Sequence, residues 1–416
     1  MQTPTSPRAP IPVVVQQHVE DTLTLRGTRA VLVRAPHVKL HQLRRLDDRL
    51  AAHLDGLQVA GDAAARLCLA ALETPGRGAL FAAGVLAIER RDMALIERLL
   101  AIAQTDEAAR AGLVSAFGWV PAAALRGITK ALLDSSDGFA QGLGLTACAL
   151  HQVDPGALLD QALAGSTATL AALDAAGRLG RTERLGACLA LLGRASGAAL
   201  LPAARAACLL GDRQAAPAAL GALALQDAPT QAPALALLLK ILPVAQANAL
   251  LKLLAQDGRP VRTLIRAIGV AGDPHYVPWL LKQMADDKLA RLAGESFSAI
   301  TGLDLALLDL DRKPPAATQA DEDAVALDED ESLPWPDAQK LATWWAANGV
   351  RFEPGTRYFA GEPPSTAHCL SVLRTGFQRQ RTAAADHLCL LNPGTPLFNT
   401  AAPAGRQERL LAARAA

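Results

Sequence analysis

Residues 259–305 read RPVRTLIRAIGVAGDPHYVPWLLKQMADDKLARLAGESFSAITGLDL, and their apolar spacing decides the fold. Val261, Leu264, Ile265 and Ile268 fall at i, i+3, i+4 and i+7, one stripe of a helix. Gly272-Asp273-Pro274 breaks the pattern with turn chemistry: Gly tolerates positive φ, Asp bonds its own backbone and Pro presets φ at a helix start. Val277, Leu280, Leu281 and Met284 resume the spacing, and Asp286-Asp287 interrupts it again. Leu289, Leu292, Ala293, Ser296, Phe297 and Ile300 form a third stripe, closed by Thr301-Gly302. A helix with one apolar stripe cannot bury it alone, so this unit requires neighbours.

The neighbours are present. Breaks between apolar-periodic helices recur at Arg91-Asp92, Trp119-Val120-Pro121, Val153-Asp154-Pro155, Gly180-Arg181, Gly211-Asp212, Leu242-Pro243, Gly272-Asp273 and Gly302. The spacing, about thirty residues, is that of helical-hairpin solenoids. Ala203 to Asp212 and Leu264 to Asp273 are the clearest copies, an Ala-rich helix ending at Gly-Asp before a Leu-rich partner, and this resembles the short HEAT-like repeat. The expected fold is all-α, an α-solenoid of such hairpins.

Composition agrees: hydrophobic residues make up 51% of the 416 and aromatics 4%, so close packing rests on Ala and Leu, both strong helix formers. The formal charge of +1 gives no global field for nucleic acid or an acidic membrane. No apolar run reaches the roughly 18 residues of a membrane span, and Met1 to Pro12 does not read as a cleavable signal peptide. The six cysteines lack paired metal spacing and read as reduced, buried thiols of a cytoplasmic protein.

In chain order, residues 1–12 read as a disordered lead-in and 13–61 as a helical cap. The cap's first helix spans Val13 to Val33, and its second Val38 to Leu57 with Asp55-Gly56 as a stop signal. Residues 62–310 are the solenoid. Residues 311–332 read as a Pro-rich, acidic, solvated linker containing Asp321-Glu322-Asp323 and Asp328 to Glu331. That acidic run lacks the glycine turn of a Ca²⁺ loop, and folding onto a basic patch of its own chain is one role open to it. Residues 333–416 read as a small, separable, mostly helical module, in which Asp337 caps a helix holding Leu341, Trp344 and Trp345.

Several stretches carry a closer likeness: Leu46 to Gly56, Phe117-Gly-Trp119-Val120, Gly272 to Trp279, Arg291 to Asp304, Leu333-Pro-Trp335-Pro336 and Gln378 to Arg381. Together they resemble a family of uncharacterised proteobacterial HEAT-repeat proteins, often encoded near type VI secretion or effector genes. The resemblance runs along nearly the whole chain. It implies a helical-repeat fold and an effector-associated client, and it assigns no catalytic residue.

The candidate partner-binding residues are Arg374, Gln378, Arg379, Gln380, Arg381 and Arg406, with Arg409 beyond, because the Arg fork suits carboxylate or phosphate. Phe377 is a single aromatic there, too few for a nucleic-acid platform. Intramolecular or protein contact ranks ahead of nucleic acid. His37 and His41 at i, i+4 have metal-ligand spacing without a third ligand, and surface or packing roles rank first. His53 is expected to hydrogen-bond within the cap beside Asp55. Trp119, Trp279, Phe297, Trp335, Trp344 and Trp345 are expected in packing, Glu295 beside Arg291 at i+4, and Asp304 as the cap of the following turn.

No nucleophile elbow, phosphate loop, dinucleotide fingerprint or zinc-protease motif is present in the sequence. The expected function is a non-enzymatic protein-binding scaffold or adaptor, with no cofactor or metal, whose client is a secreted effector or its loading machinery. An immunity-type inhibitor of a cognate toxin is the first alternative and a HEAT-type nucleic-acid-binding protein the second.

Overall fold

The computed structural model describes residues 10–165, 169–315 and 330–414. The chain is all-α, 72% helical, with 22 α-helices and no strand among the described residues. The lead-in through Ala9 and the acidic stretch from Asp321 to Glu329 lie outside those residues. No helix among them is long and apolar enough to cross a membrane. The described chain forms two compact units.

Unit 1 contains α1 (Pro12–Leu32), α2 (Leu40–Ala60), α3 (Asp62–Ala70), α4 (Arg77–Arg90), α5 (Met93–Thr105), α6 (Glu107–Trp119), α7 (Ile128–Leu133), α8 (Gly138–His151), α9 (Ala157–Ala164) and α10 (Thr169–Leu179). Helices α4, α6, α8 and α10 stack on one another, while α5, α7 and α9 each pack on a member of that stack. This two-layer arrangement is consistent with a solenoid. Its effect shows in α4, where residues 79–88 are all buried, because neighbours cover it on several sides. Each large side chain buried there contributes about 1.5–3 kcal/mol.

Helices α1 and α2 pack together at the start of the unit. Asp55-Gly56 does not stop α2, which runs on to Ala60. Gly56 instead makes room for the His18 ring, and His18 Nδ1 meets His53 Nδ1 at 3.1 Å, one nitrogen donating to the other. Asp55 is exposed.

Unit 2 repeats the layering with α11 (Leu185–Leu192), α12 (Leu200–Leu209), α13 (Ala215–Ala224), α14 (Gln231–Ile241), α15 (Val244–Gln256), α16 (Val261–Ala271), α17 (Val277–Gln283) and α18 (Asp287–Thr301). Here α14, α16 and α18 stack in turn, and the intervening helices pair with them. Three more helices follow: α19 (Ala338–Asn348), α20 (Thr366–Thr375) and α21 (Gln378–Leu391). Asp337 caps α19 by accepting from the Gln339 and Lys340 N–H groups.

The segment expected as one C-terminal module is divided: residues through Phe398 belong to unit 2, whereas Asn399 to Ala416, with α22 (Ala404–Ala413), belong to unit 1. The reason is a buried polar anchor. Arg29 of α1 pairs with Asp47 of α2 and donates to the Ala401 and Ala402 carbonyls at 3.0 and 2.9 Å. Asp47 in turn accepts from the Ala404 N–H at 2.7 Å.

Candidate functional site

The Gly-Asp breaks define the site. Gly272 has φ +76° and ends α16 in the left-handed region. Asp273, 1% exposed, accepts from the His275 N–H at 2.9 Å to start the next turn. Asp212 does the same after Gly211, accepting from the Ala216 N–H at 2.6 Å. Glycine stops one helix and aspartate caps its successor, so the dipeptide recurs. The result in unit 2 is a row of helix C-terminal ends whose carbonyls lack intrahelical donors and carry partial negative charge.

The chain's own later segment lies along this row. Tyr358 N–H donates to Gly272 O at 2.8 Å, Ala360 N–H to Ala299 O at 2.6 Å and Gly361 N–H to Ile300 O at 3.0 Å. Gly355 N–H donates to Asp273 Oδ1 at 3.1 Å. Arg357 reaches two helix ends at once: it donates to Lys240 O at 2.7 Å and Leu242 O at 2.6 Å after α14, and to Ala271 O of α16 at 3.1 Å. Burial lowers the Arg357 pKa. Further along, Arg213 bonds Cys208 O of α12 at 2.8 Å and Leu390 O of α21 at 2.7 Å. Pro393 closes over Gly211 and the Gly394 backbone over Gly180.

Helix α21 fixes this strap with a buried charge cluster. Asp386, 7% exposed, receives Lys240 Nζ at 2.7 Å and Arg205 Nη2 at 3.2 Å. Burial alone would raise its carboxyl, but Lys240 and Arg205 hold it well below the usual range. His387 beside it, 4% exposed, is pushed down to about 3 by burial and by Lys240. It is therefore a neutral packing group, its ring 4.9 Å from that of Phe359.

Gln378 and Arg381, expected at a partner surface, are each 0% exposed. Helical period explains the correction: Gln378, Arg381, Ala385 and Leu388 recur on the inward face of α21. Arg381 Nε donates to Leu373 O at 2.7 Å, its Nη1 contacts Gln378 Oε1, and burial pushes its pKa down to about 10. Gln380 accepts from the Phe377 N–H at 3.1 Å and so caps α21. Arg379 is half-buried and donates to both Glu295 oxygens at 2.8 Å. Glu295 thus pairs across helices, while Arg291 lies over the Trp335 ring at 4.8 Å. Arg374 is exposed at the end of α20.

Arg406, in unit 1, donates to Gly118 O, Trp119 O and Val120 O at 2.9, 3.1 and 2.8 Å, capping the C-terminus of α6. Arg409 is exposed. Asp330 turns its carboxylate to Arg262 at 2.6 Å, so this end of the acidic segment meets α16. Asp304 accepts from the Leu307 N–H at 3.3 Å.

The aromatic residues pack as follows. Trp119 meets Phe81 edge-on at 5.8 Å, and Arg29 lies over its ring. Phe297, fully buried, contacts Trp344 and Trp345 at 6.1 and 6.3 Å. Trp279 is half-buried. Trp345 also lines an open depression of about 820 Å³ in unit 2, with His275, Pro278, Phe352, Pro354 and Tyr358. Val350, 93% exposed, stands at its edge.

His37 and His41 are both exposed; the partial desolvation of the His37 ring, and after it the Arg379 charge, lowers the His37 pKa. No group of three or more His, Cys, Asp or Glu able to hold a metal ion occurs among the described residues. All six cysteines are buried free thiols. Burial pushes Cys68, Cys148, Cys188 and Cys369 up to about 11 and Cys208 to about 12, leaving them protonated and unreactive at neutral pH.

The sequence pattern found the repeat breaks but missed Arg357 and Asp386, and it offered Tyr358 only as a core candidate of the C-terminal module. The signal available was a second series of glycines, at 355, 361 and 394, outside any helix stripe.

No family model and no curated protein matches the chain. A solved structure of an engineered protein is similar at 16% identity over 68% of this chain and 98% of that chain, with a TM-score of 0.29, too low to bear on fold or function.

Proposed function

We propose that the chain is a non-enzymatic protein-binding scaffold built on HEAT-like repeats. The observation that supports this is the row of helix ends in unit 2, which takes an extended polypeptide through main-chain hydrogen bonds and an arginine fork. That row is filled by residues 355–361 of the same chain, so a partner docks elsewhere. The surface best suited to it is the aromatic and proline-lined depression beside Val350, since rigid aromatic groups dominate protein recognition. The arginines weighed for phosphate contact serve internal bonds at 379, 381 and 406. The family resemblance makes the partner a secreted effector or its loading machinery.

The test places a photo-crosslinking residue at Val350, and at Val59 of unit 1 as an equally exposed control, in the native cell. A single protein captured at 350, and lost in Trp345→Ala, supports the scaffold reading. Equal capture from both positions, or none, overturns it. Co-expression then divides adaptor from immunity inhibitor, because only the latter rescues growth from a captured toxin.

A further inference from the structure

The depression beside Val350 in unit 2 has room, fixed rings and an unused donor. It measures about 820 Å³ and is lined by Trp345, Phe352, Tyr358 and His275 together with Pro278 and Pro354. The rings hold one another: the Trp345 and Phe352 centroids are 5.5 Å apart, and those of Phe352 and Tyr358 5.0 Å. Gly349 packs on the indole so closely that an added Cβ would come within 3.1 Å of it. The Tyr358 hydroxyl is already engaged, accepting from the Glu353 N–H at 3.1 Å. The Trp345 indole N–H, by contrast, is accessible and makes no hydrogen bond among the described residues. Arg351 and Glu353, also in the lining, are exposed, opposite in charge and without an ion pair among the described residues.

On the scaffold reading, from which this inference follows, we propose that the depression takes a proline-rich segment of the partner in the polyproline II conformation. The other common modes of peptide recognition lack their means here. An added strand needs a sheet edge, and there is no strand among the described residues. An acidic or phosphorylated motif needs clustered arginines, and Arg351 is the one arginine among the described lining residues. A helix needs a long apolar groove, whereas this lining comes from two short stretches, 274–278 and 345–358. Fixed aromatic rings beside an unbonded indole N–H suit polyproline II. Proline rings pack against the aromatics, and a backbone carbonyl, which that helix leaves without an internal hydrogen bond, accepts from the indole. The opposite charges of Arg351 and Glu353 cancel, which matches an uncharged proline segment and gives a strongly acidic or basic one no advantage. Polyproline II is already stiff, so an open site holds it at little ordering cost.

The test is fluorescence polarisation with the full-length protein and a fluorescein-labelled peptide of three Ala-Pro-Pro repeats, against one of three Ala-Gly-Gly repeats. Wild type should bind the proline peptide saturably and the glycine peptide not at all. Trp345→Phe keeps an aromatic ring and removes the N–H, and should weaken binding about tenfold, the worth of one hydrogen bond. Pro278→Glu, at an exposed wall position, should abolish binding and leave the thermal melt unchanged. It decides alone if Trp345→Phe fails to fold. No saturable binding, equal binding of both peptides, or unchanged binding in a folded variant overturns the proposal. Crosslinking from Val350 separates it from the scaffold reading. A partner joined to residue 350 outside any proline-rich stretch leaves the scaffold in place and overturns the polyproline proposal. Peptide binding with no partner captured overturns the scaffold and supports the preference for polyproline.

Discussion

The Tyr358 N–H donates to the Gly272 carbonyl at 2.8 Å, and the Tyr358 carbonyl oxygen occupies the space that a Cβ on residue 272 would need. Gly272 therefore meets two demands, a positive φ and a backbone crossing. Gly258 has a similar φ of +68° with nothing within 4 Å of its own Cβ position. The pair separates conformational strain from the strap contact. Gly258→Ala should cost about 1 kcal/mol, and Gly272→Ala roughly 3 kcal/mol or more because the crossing segment must also shift. Urea unfolding of both variants checks this, and equal losses would remove the strap's role.

Asp386 should be the most sensitive polar position of α21. Asp386→Asn leaves Lys240, 7% exposed at its side chain, without its anion. Breaking such a buried pair costs about 3–5 kcal/mol. The double variant Asp386→Asn/Lys240→Met should recover much of the loss, and a double-mutant cycle measures the coupling. Additive losses would show that the two groups act separately.

Acid should loosen unit 2 through His387. Its folded pKa is lowered from 6.5 to about 3, so between those values the unfolded chain binds more protons than the folded one. Stability from this residue is intact above pH 6.5, falls as pH drops, and levels off near pH 3. The slope approaches about 1.4 kcal/mol per pH unit. In His387→Phe the stability curve over pH 6.5 to 4 should flatten. Asp386 adds its own loss only as pH falls below the unfolded carboxylate value, since its folded pKa is depressed.

Arg379 should matter through Glu295. Burial raises the Glu295 pKa and the Arg379 charge opposes that rise, so the folded state takes up a proton more readily than the unfolded one. The Glu295 charge thus costs stability above its folded pKa, and that cost fades as pH falls through it. Arg379→Ala should destabilise by about 1–2 kcal/mol at pH 7, allowing for the partial exposure of both groups, and by less at pH 4.5. Glu295→Gln should suppress the effect. A loss that is independent of pH and of residue 295 would contradict this pairing.

Sequence alone determined the helical class, because the i, i+3, i+4, i+7 stripe of 261–268 and its copies are local patterns that only a helix satisfies. It also placed the Gly-Asp breaks and the Asp337 cap, whose chemistry acts within four residues. Tertiary structure decided the rest. Arg381 is polar in sequence yet fully buried, since the face of α21 it occupies is set by packing and its donors find Leu373 and Gln378 there. Glu295 had a helix neighbour at i−4 but took Arg379, 84 residues away, because a cross-helix carboxylate–guanidinium pair needs a proximity that no periodicity encodes. The strap and the division of the C-terminal segment between units follow from the same cause. They rest on Arg357, Asp386 and Arg29 meeting groups more than a hundred residues distant, or hundreds in the case of Arg29, and such meetings exist only once the chain has folded.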